Sequence, residues 1–539
     1  ALGSNNESTL ADTTFRLDNG SVVTIETGDS VVDLTGTSDK NGQLVLNGGT
    51  LVFEGTAGAN VGTKQLGQIK VDSLDLTNGG TIRLTVADTT VGQTDAADVL
   101  TADEGSIEQI LIHTGSVKGD VSKITLDDGD AQGITSSIMQ GGSSVAFGTY
   151  EYELASNEDG LGLSFVLTEI DLEKTLNLVG SSIEGADNSL TARIVGDGNL
   201  LVESGTVILD NEQDEQSIYT GSTTIKAGAT LRAKVQALGN TSSLTVDGAY
   251  FNEGANNVGY LVASGSLNLS DALSLLGGSS SISGVLSGEG GLNVQSGTLE
   301  VSSENDTYLG TITLGKADGS SQLKLKNNAT VGTGDIVFAN EESSLTAAIS
   351  KDWTLGNQLQ GEGSVSVTGT GSDPVEFNFN QDVDEGSTFS GQLSLSNIAY
   401  DLTEIGNDVL GNVALSATNS ILTVNDVEST ADRNIYGLVL SGGSVDFGTI
   451  GNGTGVINLQ GQNLTASADQ QTELRLNATL AQYTDANGSA AFMSDDESLK
   501  LITNINGDSS VNTDSFTLSV QSGTTANAFT RNIMQGGEH

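Results

Sequence analysis

The feature that most constrains the fold is a duplication within the chain. The run LVLNGGTLVF at Leu44–Phe53 returns as LVLSGGSVDF at Leu438–Phe447, and IMQGG at Ile138–Gly142 returns unchanged at Ile533–Gly537. The two pairs lie 394 and 395 residues apart, so the order and spacing of a whole block are repeated. Long-range self-similarity of this kind is typical of chains built from stacked repeats. We therefore predict that the 539 residues cover little more than one period of a tandem array.

Within each copy, apolar residues alternate with polar ones and tight turns interrupt them. In Gly42–Gly55, Leu44 and Leu46 precede an Asn-Gly pair, and Leu51 and Phe53 follow it. This alternation predicts short strands separated by frequent turns.

Three all-β architectures fit such strands: a sandwich, a propeller and a β-helix. A propeller is disfavoured because the chain has no blade-sized repeat with a Trp-Asp signature, and one sandwich cannot hold so many strands. The strongest helical pattern is Asp95–Ile112, where we predict one short helix.

The length and uniformity of the chain favour the β-helix, and a shorter repeat carries a resemblance to a known family. GDGNLLVESGTVIL at Gly196–Leu209 is followed by YTGSTTIKAGATLRA at Tyr219–Ala233, and looser copies begin at Gly288 and Gly361. The order Gly-x-Gly-x-Leu, Ser-Gly-Thr, Tyr-Thr-Gly-x-Thr resembles the passenger-associated repeat of autotransporter proteins. That resemblance implies an all-β fold, a right-handed parallel β-helix solenoid with small hairpin and loop insertions.

A hairpin is predicted near the end of the first copy. The segment GTYEYELASNEDGLGLSFVL at Gly148–Leu167 alternates on both sides of a turn at Asp159–Gly160. Its Tyr-x-Tyr-x-Leu half resembles the hairpin of autotransporter autochaperone segments, which implies a cap on the β-helix. Leu161 stands where that family has an aromatic residue, which puts a role in assisting folding in doubt.

These patterns divide the chain into four parts. Residues 1–147 are predicted to be β-helix coils, 148–170 the hairpin, 171–435 β-helix with the short repeats, and 436–539 a second copy of the block 44–142. The nearest resemblance is to large, internally repeated adhesin passengers of the AIDA and antigen-43 type. It implies an extracellular rod on a Gram-negative cell, anchored to the outer membrane through a translocator absent from these residues.

Net charge and cysteine content limit the classes of partner and the cellular location that the chain can have. Acidic residues number 69 against 20 basic ones, for a net charge of -49, so nucleic acid and anionic membranes would be repelled. The chain has no Cys, which suits export because stacked coils need no disulfide staples. The opening ALGSNNESTL lacks the basic and apolar parts of a signal peptide. We expect a piece of a longer protein that does not itself insert into a membrane.

Known catalytic patterns are missing from the sequence. His113 and His539 are the two histidines, and neither lies in a Gly-His-Gly motif. Gly28–Ser30 and Gly507–Ser509 lack the glycine that would follow a peptidase serine. Acidic clusters such as Asp127–Asp130 lack the spacing of a calcium loop. We expect no enzyme, no cofactor and no metal, and interpret these clusters as solvated turns, with a weak Ca²⁺ site as the alternative.

Binding of an extended polysaccharide along a shallow groove is the function that we predict. Such grooves combine polar side chains with an aromatic face, and aromatic residues make up only 4% of this chain. The alternative to a binding role is that the aromatic residues cover the core. The candidate residues, chosen from polar loops, are Asp214, Tyr219, Tyr250, Asn252, Glu253, Asn256, Asn257, Tyr260, Asp352 and Trp353.

The polysaccharide would be a biofilm-matrix glucan or a host glycan, and repetition along the passenger would add avidity in adhesion and biofilm formation. Two alternatives stay open. Rods on neighbouring cells could associate with one another, although like charges oppose this at low salt. The segment could also be a passive stalk.

Overall fold

The computed structural model describes residues 8–9, 13–26, 31–36, 41–55, 66–86, 93–100, 109–127, 134–181, 188–211, 216–382, 384, 386–403, 407–424, 433–449, 456–462, 464–467, 469–478, 501–504 and 515–522. The chain divides into two compact units, 1–242 and 243–539. In the described residues of each unit, strands stack in register with the strands of neighbouring coils, a coil being one circuit of the chain.

The first unit begins with three stacks of parallel strands. The first holds Thr14–Asp18, Gln43–Asn47, Ser73–Asp75 and Val117–Lys118. The second holds Val22–Ile25, Thr50–Gly55, Gly80–Val86 and Ile124–Asp127. The third, called the edge stack below, holds Ser8–Thr9, Val31–Asp33, Gln68–Lys70 and Gln109–His113.

Apolar alternation explains these stacks. Leu44 lies beside Leu74 of the next coil, and Leu51 lies beside Ile82, with all four side chains fully buried. Each such burial stabilises the unit by roughly 1.5–3 kcal/mol. An inward leucine in one coil therefore requires an inward apolar residue in the next, which propagates the parallel register.

Where the structure describes Asp95–Ile112, at residues 95–100 and 109–112, it has no α-helix, so the helix prediction is wrong there. A single 3-10 turn occupies Ala96–Asp98, and the Asp95 carboxylate caps it by accepting a hydrogen bond from the Ala97 amide. Gln109–His113 is a strand of the edge stack, in parallel register with Ile69 and Lys70. Its apolar residues Leu111 and Ile112 are fully buried, and this packing outweighs the helical spacing of the sequence.

An antiparallel hairpin follows at the predicted place and is longer than predicted. Ser143–Asn157 pairs with Gly160–Leu172, and Ile134–Gln140 adds a third strand that also pairs with the short strand Thr94–Asp95. The hairpin tip, Gly160–Leu163, pairs antiparallel with Gln109–His113. Its base continues parallel to Arg193–Gly196. The hairpin thus covers the last strand of the edge stack and starts the next coils.

Two short parallel stacks complete the first unit. One holds Thr175–Val179, Asn199–Ser204 and Ser222–Ile225. The other holds Ser189–Leu190, Thr206–Leu209 and Thr230–Ala233. Both belong to the first copies of the short repeat.

In the second unit the coils run through up to three strand positions, here named faces A, B and C. Face A is one continuous stack, in which Leu244 lies beside Leu261 and, further along, Val365 beside Leu393. A coil therefore takes from 17 to 28 residues along this stack. Face A consists of Ser243–Val246, Tyr260–Ala263, Ser279–Ile282, Gly297–Val301, Ser321–Leu325, Ser344–Ile349, Ser364–Gly369, Gln392–Ser396, Ala414–Thr418, Gly437–Ser441 and Leu464–Ala466.

Faces B and C are each built of two parallel sheets. Face B consists of Ala249–Asn252, Ser266–Leu269 and Val285–Gly288, and then of Trp353–Leu355, Val375–Phe379, Ile398–Asp401, Ile421–Thr423, Ser444–Thr449, Thr472–Ala478 and Phe516–Ser522. Face C consists of Asn256–Val258, Leu273–Leu275, Leu292–Val294, Ile312–Leu314, Ile336–Phe338, Leu359–Gly361 and Thr388–Phe389, and then of Arg433–Ile435, Ile457–Leu459 and Ile502–Asn504. A four-residue helix, Asn407–Leu410, lies between two of these coils.

The parallel β-helix prediction is confirmed. The duplicated sequence also occupies equivalent structural positions: Gln43–Asn47 and Thr50–Gly55 are consecutive strands in adjacent stacks, and so are Gly437–Ser441 and Ser444–Thr449. The second IMQGG copy lies outside the described residues. Among the helices of the described part, none has the length and apolar character that crossing a membrane requires.

Candidate functional site

Five of the residues predicted to bind glycan lie in the core, which corrects that prediction for them. Tyr219, Tyr250, Asn252, Asn256 and Trp353 are buried, so their side chains cannot contact a surface polymer. Except for Tyr219, these residues lie on strands. They occupy the alternate positions whose side chains point into the core.

The buried polar groups are paired within the protein. The Tyr250 hydroxyl donates to Asn252 Oδ1 at 2.7 Å, and Asn252 Nδ2 donates to the Asp271 carbonyl of the next coil at 2.9 Å. Asn256 Nδ2 also donates to Asn252 Oδ1, at 3.0 Å. Asn252 therefore links two coils, and its role is structural.

Trp353 begins a column of aromatic rings inside the second unit. It stacks on Phe377 with ring centroids 5.7 Å apart, and Phe377 stacks on Tyr400 at 5.9 Å. These three residues hold the same inward position in successive coils of face B. The column fills a wide stretch of core, which agrees in part with the alternative that the aromatic residues cover the core.

Tyr219 is a buried partner of two threonines. Its hydroxyl lies 2.6 Å from Thr223 Oγ1, which lies 3.0 Å from Thr241 Oγ1. Burial raises the pKa of Tyr219 to about 12, against the lowering effect of these hydrogen bonds.

The burial of Tyr219 predicts that the stability of the fold decreases at alkaline pH. An unfolded tyrosine has a pKa of about 10, so the unfolded chain releases the proton first and stability falls as pH rises from 10 towards 12. The slope reaches about 1.4 kcal/mol per pH unit for one such group. In urea denaturation followed by circular dichroism, Tyr219→Phe should lose stability less steeply over this range. Equal slopes in the variant and the parent chain would contradict the assignment.

Four of the predicted residues remain accessible, and the structure does not bring them all together. Asn257, Tyr260 and Asp352 are exposed, and Glu253 is partly exposed. Asp352 lies immediately before the face B strand Trp353–Leu355, and its carboxylate accepts a hydrogen bond from the Glu376 amide. The tenth candidate, Asp214, lies outside the described residues.

The outward side of face A forms a broad uncharged surface, here named the hydroxyl face. It spans five consecutive strands from Ser344 to Ser441, and its outward positions include no Asp, Glu, Lys or Arg. Its members are Ser344, Thr346, Ala348, Ser364, Ser366, Thr368, Gln392, Ser394, Ser396, Ala414, Ser416, Thr418, Gly437, Val439 and Ser441.

Strict register turns these residues into columns. Thr346, Ser366, Ser394, Ser416 and Val439 are consecutive neighbours along the stack. With strands about 4.8 Å apart and residues about 3.3 Å apart along a strand, the face measures about 19 Å by 13 Å. Ten of its members carry a hydroxyl group.

These hydroxyls are available to a ligand. Within the described part of the chain, the Thr346, Ser366, Ser394 and Ser416 hydroxyls make no hydrogen bond to protein. Each can both donate and accept. The face can therefore exchange hydrogen bonds with a partner that is itself rich in hydroxyls.

Charged side chains of the same coils lie on face B. The outward positions of face B carry Glu376, Asp401, Asp446, Glu473 and Arg475. On face A, outward charges occur on the strands that precede the hydroxyl face, at Glu300 and Lys324.

Acidic groups at other turns are held in the charged form. In the first unit, hydrogen bonds from Thr77 and Lys118 lower the pKa of Asp75 to about 2. A hydrogen bond from Thr35 likewise lowers the pKa of Asp33. Among the described residues, no group of three or more His, Asp and Glu side chains is arranged to hold a metal ion.

The hydroxyl face is not evident from the sequence, because serine and threonine are spread along the whole chain and do not stand out there. The signal was present in Ser364–Thr368 (SVSVT), Gln392–Ser396 (QLSLS) and Ala414–Thr418 (ALSAT), where outward positions are small and uncharged. These segments lie 22 to 28 residues apart in sequence. Only the register between coils shows that they form one surface.

Comparison with known proteins identifies distant relatives. Uncharacterized protein YuaQ of Escherichia coli (strain K12) is 31% identical over 247 residues, which cover 42% of this chain and 17% of YuaQ. Uncharacterized lipoprotein YdeK of the same strain is 26% identical over 484 residues, which cover 71% of this chain and 36% of YdeK. The chain thus spans well under two thirds of either relative. No protein-family model and no solved structure matches it.

Proposed function

We propose that this chain is the surface-displayed β-helix of a cell-envelope adhesin, and that its hydroxyl face binds a neutral, extended polysaccharide. The observation that carries the proposal is an uncharged hydroxyl lattice on a chain with a net charge of -49. Surface strand positions ordinarily admit charged residues, and face B of the same coils has them.

Electrostatics favours a neutral polymer over an anionic one. Sulfated or carboxylated host glycans would meet the repulsion of the surrounding acidic side chains, whereas a neutral matrix glucan would not. Tandem copies of the face on a longer protein would add avidity, because one polymer chain can contact several copies. A cell-envelope location is supported by the lipoprotein relative YdeK, and the autotransporter-like repeats favour display outside the cell.

Self-association is the weaker candidate. Stable protein interfaces have apolar or aromatic cores, and the hydroxyl face contributes only Val439 as an exposed large apolar side chain. A lattice of small hydroxyls suits a hydrated polysaccharide better than a second copy of itself.

Two charges placed on the hydroxyl face should weaken binding strongly. Ser366 and Ser394 are neighbours on face A, and Ser366→Asp with Ser394→Asp would force binding to desolvate two unpaired carboxylates. We expect affinity for an immobilised neutral β-glucan to fall about tenfold or more. The matched control is Thr354→Asp with Asn378→Asp, which are neighbours on face B and should leave binding within about twofold.

Three outcomes would contradict the proposal. One is equal loss in both double variants, and another is unchanged binding in the face A variant. The third is no binding of the parent chain to any neutral glucan, after which aggregation of coated beads tests self-association. Binding should also vary little between low and high salt, because the partner is uncharged.

A further inference from the structure

Two exposed tyrosines of the second unit occupy the same corner of the coil. Tyr260 follows the face C strand Asn256–Val258 and opens face A, and Tyr436 follows Arg433–Ile435 and precedes the face A strand Gly437–Ser441. Their exposed fractions are 41% and 40%. Large aromatic residues in this fold are otherwise mostly inside, as the Trp353 column shows.

The Tyr436 ring rests on a glycine of the following coil, and Tyr260 lies beside another glycine of its following coil. A methyl group added at Gly461 would lie 2.0 Å from Tyr436 Cε2, so the ring is in direct contact with that backbone. A methyl group at Gly278 would lie 3.4 Å from Tyr260 Cβ and 3.7 Å from its ring. The backbone of Gly461 does not have positive φ, so its lack of a side chain serves the ring and not the turn.

Tyr436 lies at the edge of the hydroxyl face. The last strand of that face begins at the next residue and presents Val439, 40% exposed, two positions further on. Near Tyr260, the same strand presents Val262, and the corner of the next coil presents Leu276, both exposed. Each tyrosine therefore combines an aromatic ring with a small apolar margin.

We propose that Tyr436 and Tyr260 are stacking platforms for sugar rings of the neutral polysaccharide. A pyranose whose hydroxyls are equatorial presents a flat face of C–H groups, and such a face packs on an aromatic ring. The hydroxyl face then hydrogen-bonds the rim of the same polymer beside Tyr436. This inference rests on the proposed function and specifies the ligand as a polymer of equatorially substituted neutral hexopyranoses.

Alanine and phenylalanine variants test the platforms. Tyr436→Ala should weaken binding to a soluble neutral β-glucan about threefold to tenfold, the range for one aromatic contact, and Tyr260→Ala together with it should weaken binding further. Tyr436→Phe should bind nearly as the parent chain, because the ring is kept. The matched controls are Val285→Ala and Leu309→Ala, which remove exposed apolar side chains elsewhere and should change nothing.

A second readout reports the ring directly. Adding a short soluble β-glucan oligosaccharide should perturb the tyrosine absorption spectrum, and the Tyr260→Ala, Tyr436→Ala double variant should lose the perturbation. Gly461→Ala should weaken binding as Tyr436→Ala does, because the new methyl group displaces the ring.

The outcomes separate this inference from the proposed function. If the tyrosine variants bind within twofold of the parent while the Ser366→Asp, Ser394→Asp variant loses binding, the platforms are refuted and the hydroxyl face stands. If the parent chain binds no neutral glucan, the proposed function fails, and the platforms fail with it.

Discussion

Trp353→Ala should destabilise the second unit by about 3–5 kcal/mol without changing the intrinsic affinity for glucan. The Trp353 side chain is only 7% exposed, and its ring stacks on Phe377. Removing it leaves a cavity at one end of the aromatic column, and the hydrogen-bonded backbone of the neighbouring strand Val375–Phe379 cannot collapse to fill it. The loss should therefore approach the full cost of a buried large-to-small substitution.

The experiment compares unfolding and binding in one series of variants. Urea denaturation followed by far-ultraviolet circular dichroism gives the stability of Trp353→Ala, Trp353→Phe and the exposed neighbour control Thr354→Ala. We expect Trp353→Phe to lose less stability, because a ring remains and because Trp353 Nε1 is buried with no hydrogen-bond partner among the described residues. Glucan binding is then measured well below each unfolding transition.

The result decides between two interpretations of the sole tryptophan. An aromatic residue in a polar loop, as the sequence suggested, predicts lost binding and little change in stability. The structure predicts the reverse. A Trp353→Ala protein that is as stable as its parent but no longer binds glucan would restore the interpretation from sequence.

The architecture was accessible from sequence because each coil must bury its apolar residues on the next. The alternation of apolar residues around Leu44 and Leu51 is enough to predict strands, and the turn at Asp159–Gly160 predicts the hairpin. The length of the hairpin was underestimated, since its first strand begins at Ser143, before the aromatic alternation becomes visible. Pairing with Ile134–Gln140 extends that strand.

The site was less accessible, for a reason visible at Tyr250 and Asn252. In AYFN either Ala249 and Phe251 or Tyr250 and Asn252 could face the core, and an inward asparagine is the less expected choice. It is realised because Asn252 finds partners on the next coil, at the Asp271 and Ala272 carbonyls. Such pairing depends on register between coils, which no local pattern encodes.

Gly284→Ala should destabilise the second unit by about 3 kcal/mol, the upper end of the range for overpacking. Gly248, Gly265 and Gly284 form a column at one corner of successive coils. A methyl group on Gly265 would lie 1.9 Å from the Gly248 carbonyl oxygen, and one on Gly284 would lie 1.8 Å from the Gly265 carbonyl oxygen. Both obstacles are backbone atoms of a neighbouring coil, so only a shift of the coils can relieve the contact.

The matched control is Gly291→Ala, in the same region of the chain. Its new methyl group would meet only the Thr311 carbonyl oxygen, at the ordinary distance of 3.6 Å. Neither Gly284 nor Gly291 has positive φ, so backbone strain does not distinguish them, and reduced freedom of the unfolded chain should make Gly291→Ala neutral or slightly stabilising. The difference between the thermal unfolding midpoints of the two variants therefore measures the cost of crowding between neighbouring coils. Equal midpoints would mean that the coils can separate at this corner without cost, and the close stacking of the glycine column would then not contribute to stability.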